Sequence, residues 1–194
     1  MPSRCPWSVF DDPLYLAYHD EEWGVPVHDD RKIFEFLILE AFQAGLSWRT
    51  VLHKRDNFRK AFAGFDFKKV ARFGPRDVNR LMQDAGIIRN RAKIEAAIVN
   101  ARRFIEVREE FGTFAKYMWQ QVGGRPRLNQ MRSLKDYQAT TPEAIAWAKD
   151  LKKRGFKFLG PTVIYAHMQA VGMVNDHVVT CFRYASGVGS GHSG

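Results

Sequence analysis

Three observations predict an all-α domain. Apolar residues recur three and four apart through most of the chain, helix-start signals precede these runs, and no segment shows a convincing strand-like alternation. At 194 residues, 45% hydrophobic and 26% charged, the chain holds enough apolar material for one well-buried domain, bilobal in form. The expected organisation is a single domain over 1–186 and a flexible Gly/Ser-rich tail over 187–194, in which His192 has no role.

The elements follow in chain order. Asp29 and Asp30 can cap a helix over 31–44 that Gly45 stops. Ser47 can cap the next, with Trp48, Val51, Leu52, Phe58 and Phe62 on one face. Gly74 and Pro75 introduce a helix carrying Val78, Leu81 and Met82. Ile94, Ala97, Ile98, Ala101, Phe104 and Ile105 mark a long amphipathic helix, and Phe114, Met118 and Val122 another. Residues 123–140 read as the longest irregular stretch, a surface excursion. Thr141, Pro142 and Glu143 are a strong start signal for a helix ending near Arg154 and Gly155. After a short link over 156–160, Pro161 opens a last helix through about Val171.

Composition narrows the function classes. A net charge of +9 and a pI near 9.7 favour a polyanionic partner, nucleic acid before an anionic membrane. No run approaches the roughly 18 apolar residues of a membrane span, and the opening residues lack an apolar signal core. The expectation is a cytoplasmic protein. Two cysteines far apart do not make a disulfide framework.

Those cysteines carry chemistry of another kind. Cys5 and Cys181 each have a histidine nearby, His19 and His177, and the 177/181 spacing puts both side chains on one face of a helix. Two thiolates and two imidazoles complete a tetrahedral zinc set with no open position, so the metal would be architectural. The alternative is a pair of buried thiols beside unrelated histidines. Trp7, Phe10, Tyr15, Tyr18, Trp23 and Trp48 are either core or the walls of a base pocket, since aromatic faces stack on flat bases and attract cations. Glu40 lies in the apolar run FLILEAF, where a buried carboxylate implies a hydrogen-bonding duty. On the other reading it joins Lys32, Glu35 and Gln43 in a solvated stripe. Segments 84–93 and 151–162 each place a glycine before a helix N-terminus, where free amides can hold a phosphate; an ordinary helix–helix turn has the same look.

Five ordered motifs then fit together: DPLYLAYHDEEWGVP, LEAFQAGLSW, DAGIIRNRAKIEAAI, KKRGFKFLGPT and VNDHVVTC. With them the chain resembles the 3-methyladenine DNA glycosylase I family from about Cys5 to Tyr184. The resemblance implies an all-helical member of the helix–hairpin–helix glycosylase superfamily, a compact bilobal bundle with a zinc clamp joining its termini. It implies one structural zinc ion on Cys5, His19, His177 and Cys181, and a base pocket of Glu40 with Tyr15, Tyr18 and Trp48, flanked by Trp7 and Trp23. It puts the DNA-backbone hairpin on 155–162, with Gly155, Lys157, Gly160 and Thr162 as contacts, and makes the 84–93 segment the preceding helix pair. The implied reaction is hydrolytic release of N3-methyladenine, flipped out of alkylated double-stranded DNA, by a monomeric enzyme that does not nick the strand. Ionised Glu40 would accept hydrogen bonds from the base edge. Ala41 stands where the family usually has glycine, and its methyl is expected to narrow the pocket. Asp176 is the nearest candidate for an aspartate beside the sugar, or else the cap of a helix carrying His177 and Cys181.

Overall fold

The structure, a computed structural model, describes residues 3–8 and 11–186; the tail expected over 187–194, and Phe10, lie outside the described residues. The predicted helices form close to their expected ends. They are α2 (Asp30–Gln43), α3 (Trp48–Ala61), α5 (Pro75–Gln83), α6 (Arg91–Phe111), α7 (Phe114–Gln120), α8 (Pro142–Lys153) and α9 (Pro161–Ala170). Three more join them: α1 (Pro13–Glu21), α4 (Phe67–Val70) and α10 (Arg183–Ser186). Asp12 caps α1 by accepting from Tyr15 N at 3.2 Å, with Pro13 at the first helical position.

α2 is the central element because it is apolar nearly all round. Every residue from 33 to 42 is buried, and the helix packs against α3, α6 and α9. Asp29 caps its start through Lys32 N at 2.8 Å. At its other end the Lys93 ammonium, from α6, donates to Phe42 O at 2.9 Å and Ala44 O at 2.6 Å. That satisfies carbonyls the helix leaves open and sets a cation at its negative end. Both ends of the helix that carries Glu40 are therefore fixed.

The expectation of no strands is corrected at one place. β1 (Arg127–Leu128), inside the stretch read as a loop, pairs in parallel with β2 (Val174–Asn175), and Met131 bridges Val178. Two-residue strands are too short to show an alternating pattern. The pairing ties the excursion to the segment after α9.

The residues that follow α1 run against the end of α9. Gly24 N donates to Gln169 O and Val27 N to Val171 O, both at 3.0 Å. Gly172 permits this contact: a Cβ there would lie 2.4 Å from Pro26 N, and its φ of +70° is in the left-handed region. Phe182 N donates to Ser3 O at 3.0 Å, so the two described ends of the chain meet.

Candidate functional site

The meeting of the ends builds a buried Cys/His cluster. Cys5, His19, His177 and Cys181 each offer one ligand atom, and the four atoms lie within 4.8 Å of one another. Cys5 Sγ is 3.4 Å from His177 Nδ1, while Cys181 Sγ is 3.5 Å from His177 Nδ1 and 3.6 Å from His19 Nε2. The expectation of a helix under His177 and Cys181 is not met. The segment is a turn closed by Cys181 N donating to Val178 O at 2.7 Å, and the turn brings the two side chains together.

Each imidazole is oriented by its outer nitrogen. His19 Nδ1 faces Asp20 Oδ1 at 2.7 Å, and His177 Nε2 faces Trp23 O at 3.1 Å. These acceptors hold the outer nitrogens protonated and leave His19 Nε2 and His177 Nδ1 as neutral donors toward the centre. Backbone amides of Val178 and Arg183 point at the two sulfurs, at 3.4 and 3.5 Å. Burial pushes the Cys5 thiol up to about 12 and the His177 imidazole down to about 4. A thiolate is therefore stable here only beside a cation, whereas neutral imidazole is already favoured. The cluster can hold one metal ion.

Against the cluster stands an aromatic wall. Trp7 meets His19 at 5.2 Å and Trp23 at 4.8 Å between ring centroids, and Trp23 meets His177 at 4.7 Å, all edge to face. The far side of this wall opens into a cavity of about 300 Å³. Trp7, Tyr15, Tyr18, Trp23 and Trp48 all line it, and so does Glu40. Tyr18 lies 5.3 Å from Trp48, which stacks on Phe36. All six expected pocket residues thus converge: Tyr15 and Tyr18 from α1, Glu40 from α2, Trp48 from α3, Trp7 from the segment before α1 and Trp23 from the segment after it. Gln43, Leu134, Tyr137, Ala166 and Gln169 complete the lining and were not expected as pocket residues.

The solvated-stripe alternative for Glu40 is not what the structure shows. Glu40 is 4% exposed, and no described residue hydrogen-bonds to its carboxyl. Glu35, one turn earlier, is held by Arg55 at 2.7 Å and Arg59 at 2.8 Å, as a buried carboxylate normally is. Burial alone pushes the Glu40 carboxyl up to about 8, so its neutral form is favoured at neutral pH unless a positive charge comes beside it. Trp48 Nε1 is also buried without a partner among the described residues. Polar atoms left open inside apolar walls are costly unless a ligand completes them. Ala41 and Phe42 face the core and do not line the cavity, so the extra methyl does not narrow it.

Asp176 is neither a helix cap nor exposed to the cavity. It is fully buried, and its carboxylate accepts from Asn129 Nδ2 at 2.7 Å, Tyr165 Oη at 2.6 Å and Gln169 Nε2 at 2.7 Å.

The expected hairpin joins α8 to α9. Phe156 N donates to Leu151 O and Gly155 N to Lys152 O, both at 3.0 Å, with Gly155 at φ +88°, which is a Schellman ending. Asn100 on α6, fully buried, clasps the turn by accepting from Lys157 N at 2.8 Å and donating to Lys157 O at 2.9 Å. Phe156 and Leu159 point inward, while Lys157, Phe158, Gly160 and Thr162 face solvent. Gly160 has no side chain to cap α9, so the first amides of that helix are available to an anion. The 84–93 segment differs: Asp84 Oδ1 already accepts from Gly86 N at 2.8 Å, and the Asn90 side chain caps α6. Arg49 pairs with Asp12 at 2.5 Å.

Known proteins resemble this chain over nearly its whole length. A family model described as methyladenine glycosylase matches residues 7–184. DNA-3-methyladenine glycosylase 1 of Escherichia coli strain K12 is 51% identical over 181 residues, which cover 93% of this chain and 96% of that protein. The DNA-3-methyladenine glycosylase of Haemophilus influenzae is 44% identical over 181 residues, 93% of this chain and 97% of its own. Among solved structures, one of 3-methyladenine DNA glycosylase I superposes with a TM-score of 0.89 at 52% identity, covering 93% of this chain and 98% of that one. A single-residue variant of such an enzyme, in complex with 3-methyladenine, gives 0.90 at 35% identity over 93% and 97%.

Proposed function

The chain belongs to the methyladenine glycosylase family, and from that premise we propose that its aromatic cavity receives N3-methyladenine flipped out of alkylated duplex DNA. The activity is that of a DNA-3-methyladenine glycosylase, an N-glycosyl hydrolase of base excision repair. The observation that carries the reading is Glu40: a buried carboxyl with no hydrogen-bond partner among the described residues, inside walls of Trp and Tyr.

N3-methylation makes the base cationic in DNA and weakens its glycosidic bond. Electron-rich ring faces attract such a cation, by about 0.5–2 kcal/mol per contact, and discriminate against neutral adenine. The same positive charge, once seated, favours the ionised form of Glu40, which then accepts hydrogen bonds from the base edge. The departing base becomes neutral, so cation binding alone would stabilise the ground state; orientation and the strain of flipping supply the rest of the rate. The cavity lining holds no lysine to attack the sugar, which supports water as the nucleophile and an abasic product without strand cleavage. Asp176, sealed behind Gln169, has no direct part in the chemistry.

The hairpin over 155–162 grips the DNA backbone through Lys157, Thr162 and the amides after Gly160, positioning the duplex without reading its sequence. The Cys/His cluster is read as one structural zinc ion. Zn–S near 2.3 Å and Zn–N near 2.0 Å at tetrahedral angles set S···N edges of about 3.6 Å, close to the 3.4–3.6 Å found. With four protein ligands the ion supplies only cross-linking. The reading is of one catalytic domain over 1–186, supported by the match over 7–184, acting as a single chain on cytoplasmic DNA.

The test is release of free bases from alkylated DNA, wild type beside Glu40→Gln, with products resolved by chromatography. The expected result is 3-methyladenine released by wild type and at least a hundredfold more slowly by the variant, with 7-methylguanine untouched. A folded wild type that binds DNA but releases nothing would replace the enzyme with a DNA-binding protein.

A further inference from the structure

We propose that Gln169 is a specificity-determining residue of the cavity, and that Asp176 positions it. The inference rests on the base-pocket reading above. Gln169 lies on α9, one turn after Ala166, and both line the cavity that Glu40 lines from α2. Its backbone is fixed, since its carbonyl accepts from Gly24 N at 3.0 Å beside the Trp23 wall. Its side chain is fixed too, by Nε2 donating to Asp176 Oδ2 at 2.7 Å.

Asp176 decides which end of that amide faces the cavity. The carboxylate is fully buried and surrounded by donors: the Tyr165 hydroxyl at 2.6 Å and the Asn129 amide at 2.7 Å as well as Gln169. Gln169 Nε2 donates to Asp176 Oδ2, so the other end of the amide, Oε1, is turned away from that carboxyl. No described residue donates to Oε1. The cavity lining therefore holds two acceptors, the Glu40 carboxylate on α2 and Gln169 Oε1 on α9.

An exocyclic amine has two N–H donors. The 6-amino group of adenine satisfies both acceptors, whereas guanine carries a carbonyl oxygen at that position and would face them lone pair to lone pair. A site built for donors rejects a base that lacks them, because its own buried acceptors go unpaired. Gln169 thus reads the class of base, methylated adenine against methylated guanine, while the aromatic walls read the charge that methylation creates.

The test compares kcat/KM for 3-methyladenine and 3-methylguanine release from the same alkylated DNA. Gln169→Met keeps the length and removes the acceptor. It is expected to lower 3-methyladenine release tenfold or more and to leave 3-methylguanine release unchanged or raised, with Gln169→Glu restoring part of the loss. Asp176→Asn lets the amide turn over and present its donor, and should shift the ratio toward guanine by a similar factor. A merely structural role for either residue would lower both releases together, and an unchanged ratio in folded variants overturns the proposal. Thermal midpoints establish folding, and whichever of Gln169→Met and Asp176→Asn folds reads the ratio. A wild type that releases no methylated base would fail the base-pocket reading itself, a different outcome.

Discussion

The Cys/His cluster and the Glu40 cavity share a wall, Trp7 and Trp23, yet treat their buried polar atoms in opposite ways. In the cluster each imidazole has an acceptor behind it and each sulfur an amide beside it. In the cavity Glu40 and Trp48 Nε1 have no hydrogen-bond partner among the described residues. The contrast separates a site that is closed around its own ligands from one that waits for a ligand made elsewhere. It also shows why they adjoin: an incomplete pocket needs a rigid side to lean on, and the cluster holds the pocket's aromatic wall from behind.

The largest expected effect comes from opening the closed site. On the proposed zinc reading, treatment with a chelator or replacing Cys181 by Ser should cost several kcal/mol, since a structural zinc ion contributes folding energy directly. For a domain of this size that is a fall of roughly 10–20 °C in thermal midpoint. Base release should disappear in step as Trp7 and Trp23 lose their support. A metal-free protein, verified by elemental analysis, with unchanged melting would show the cluster to be incidental.

Closing the open site should act in the reverse sense. The folded value of Glu40, about 8, lies above its ordinary 4.5, so the folded state binds the proton more tightly than the unfolded chain. The resulting penalty is absent below about pH 4.5, grows as pH rises, and is complete above about 8. Glu40→Gln should therefore be more stable than wild type by on the order of a few kcal/mol at pH 9, and equal to it near pH 4.5. Melting curves at the two pH values check this. In the same pair, wild-type kcat/KM should climb with pH and level off near 8, while the variant's weak activity stays flat.

The smallest effect lies away from both sites. Asn100→Ala removes two hydrogen bonds that clasp Lys157 in the hairpin. The expected result is about 1–2 kcal/mol less stability and about tenfold weaker DNA binding, with binding of free 3-methyladenine unchanged. Equal losses for DNA and free base would mean that the hairpin and the cavity are not separable.

Much of this was legible in the chain, and the gaps have physical causes. α2, α3, α6, α8 and α9 announce themselves because caps and apolar periodicity are local signals. α1 was passed over although Asp12 and Pro13 form a start signal, because its apolar pattern is weak among polar and aromatic residues. The cluster residues were found through residue type, but the helix expected beneath His177 and Cys181 is a turn, since four-residue spacing alone does not distinguish the two. Glu40 stayed ambiguous in the sequence because burial of one carboxyl in an apolar run is settled only by what packs around it. Gln169 and Tyr137 carry no local sign of the cavity; long-range contacts put them there. The Asp176 network is of the same kind, joining residues 129, 165, 169 and 176.

The cluster joins residue 5 to residue 181, and this gives the protein a history as well as a shape. A ribosome adds roughly 5–20 residues per second, so roughly 10–35 seconds separate the emergence of Cys5 from that of Cys181. Throughout that interval Trp7 and Trp23 are already made, but the ligand set behind them is half missing. A chain that stops before residue 177 lacks His177 and Cys181, half of the ligand set behind that wall. On the proposed reading of cluster and pocket, such a chain is expected to release no base.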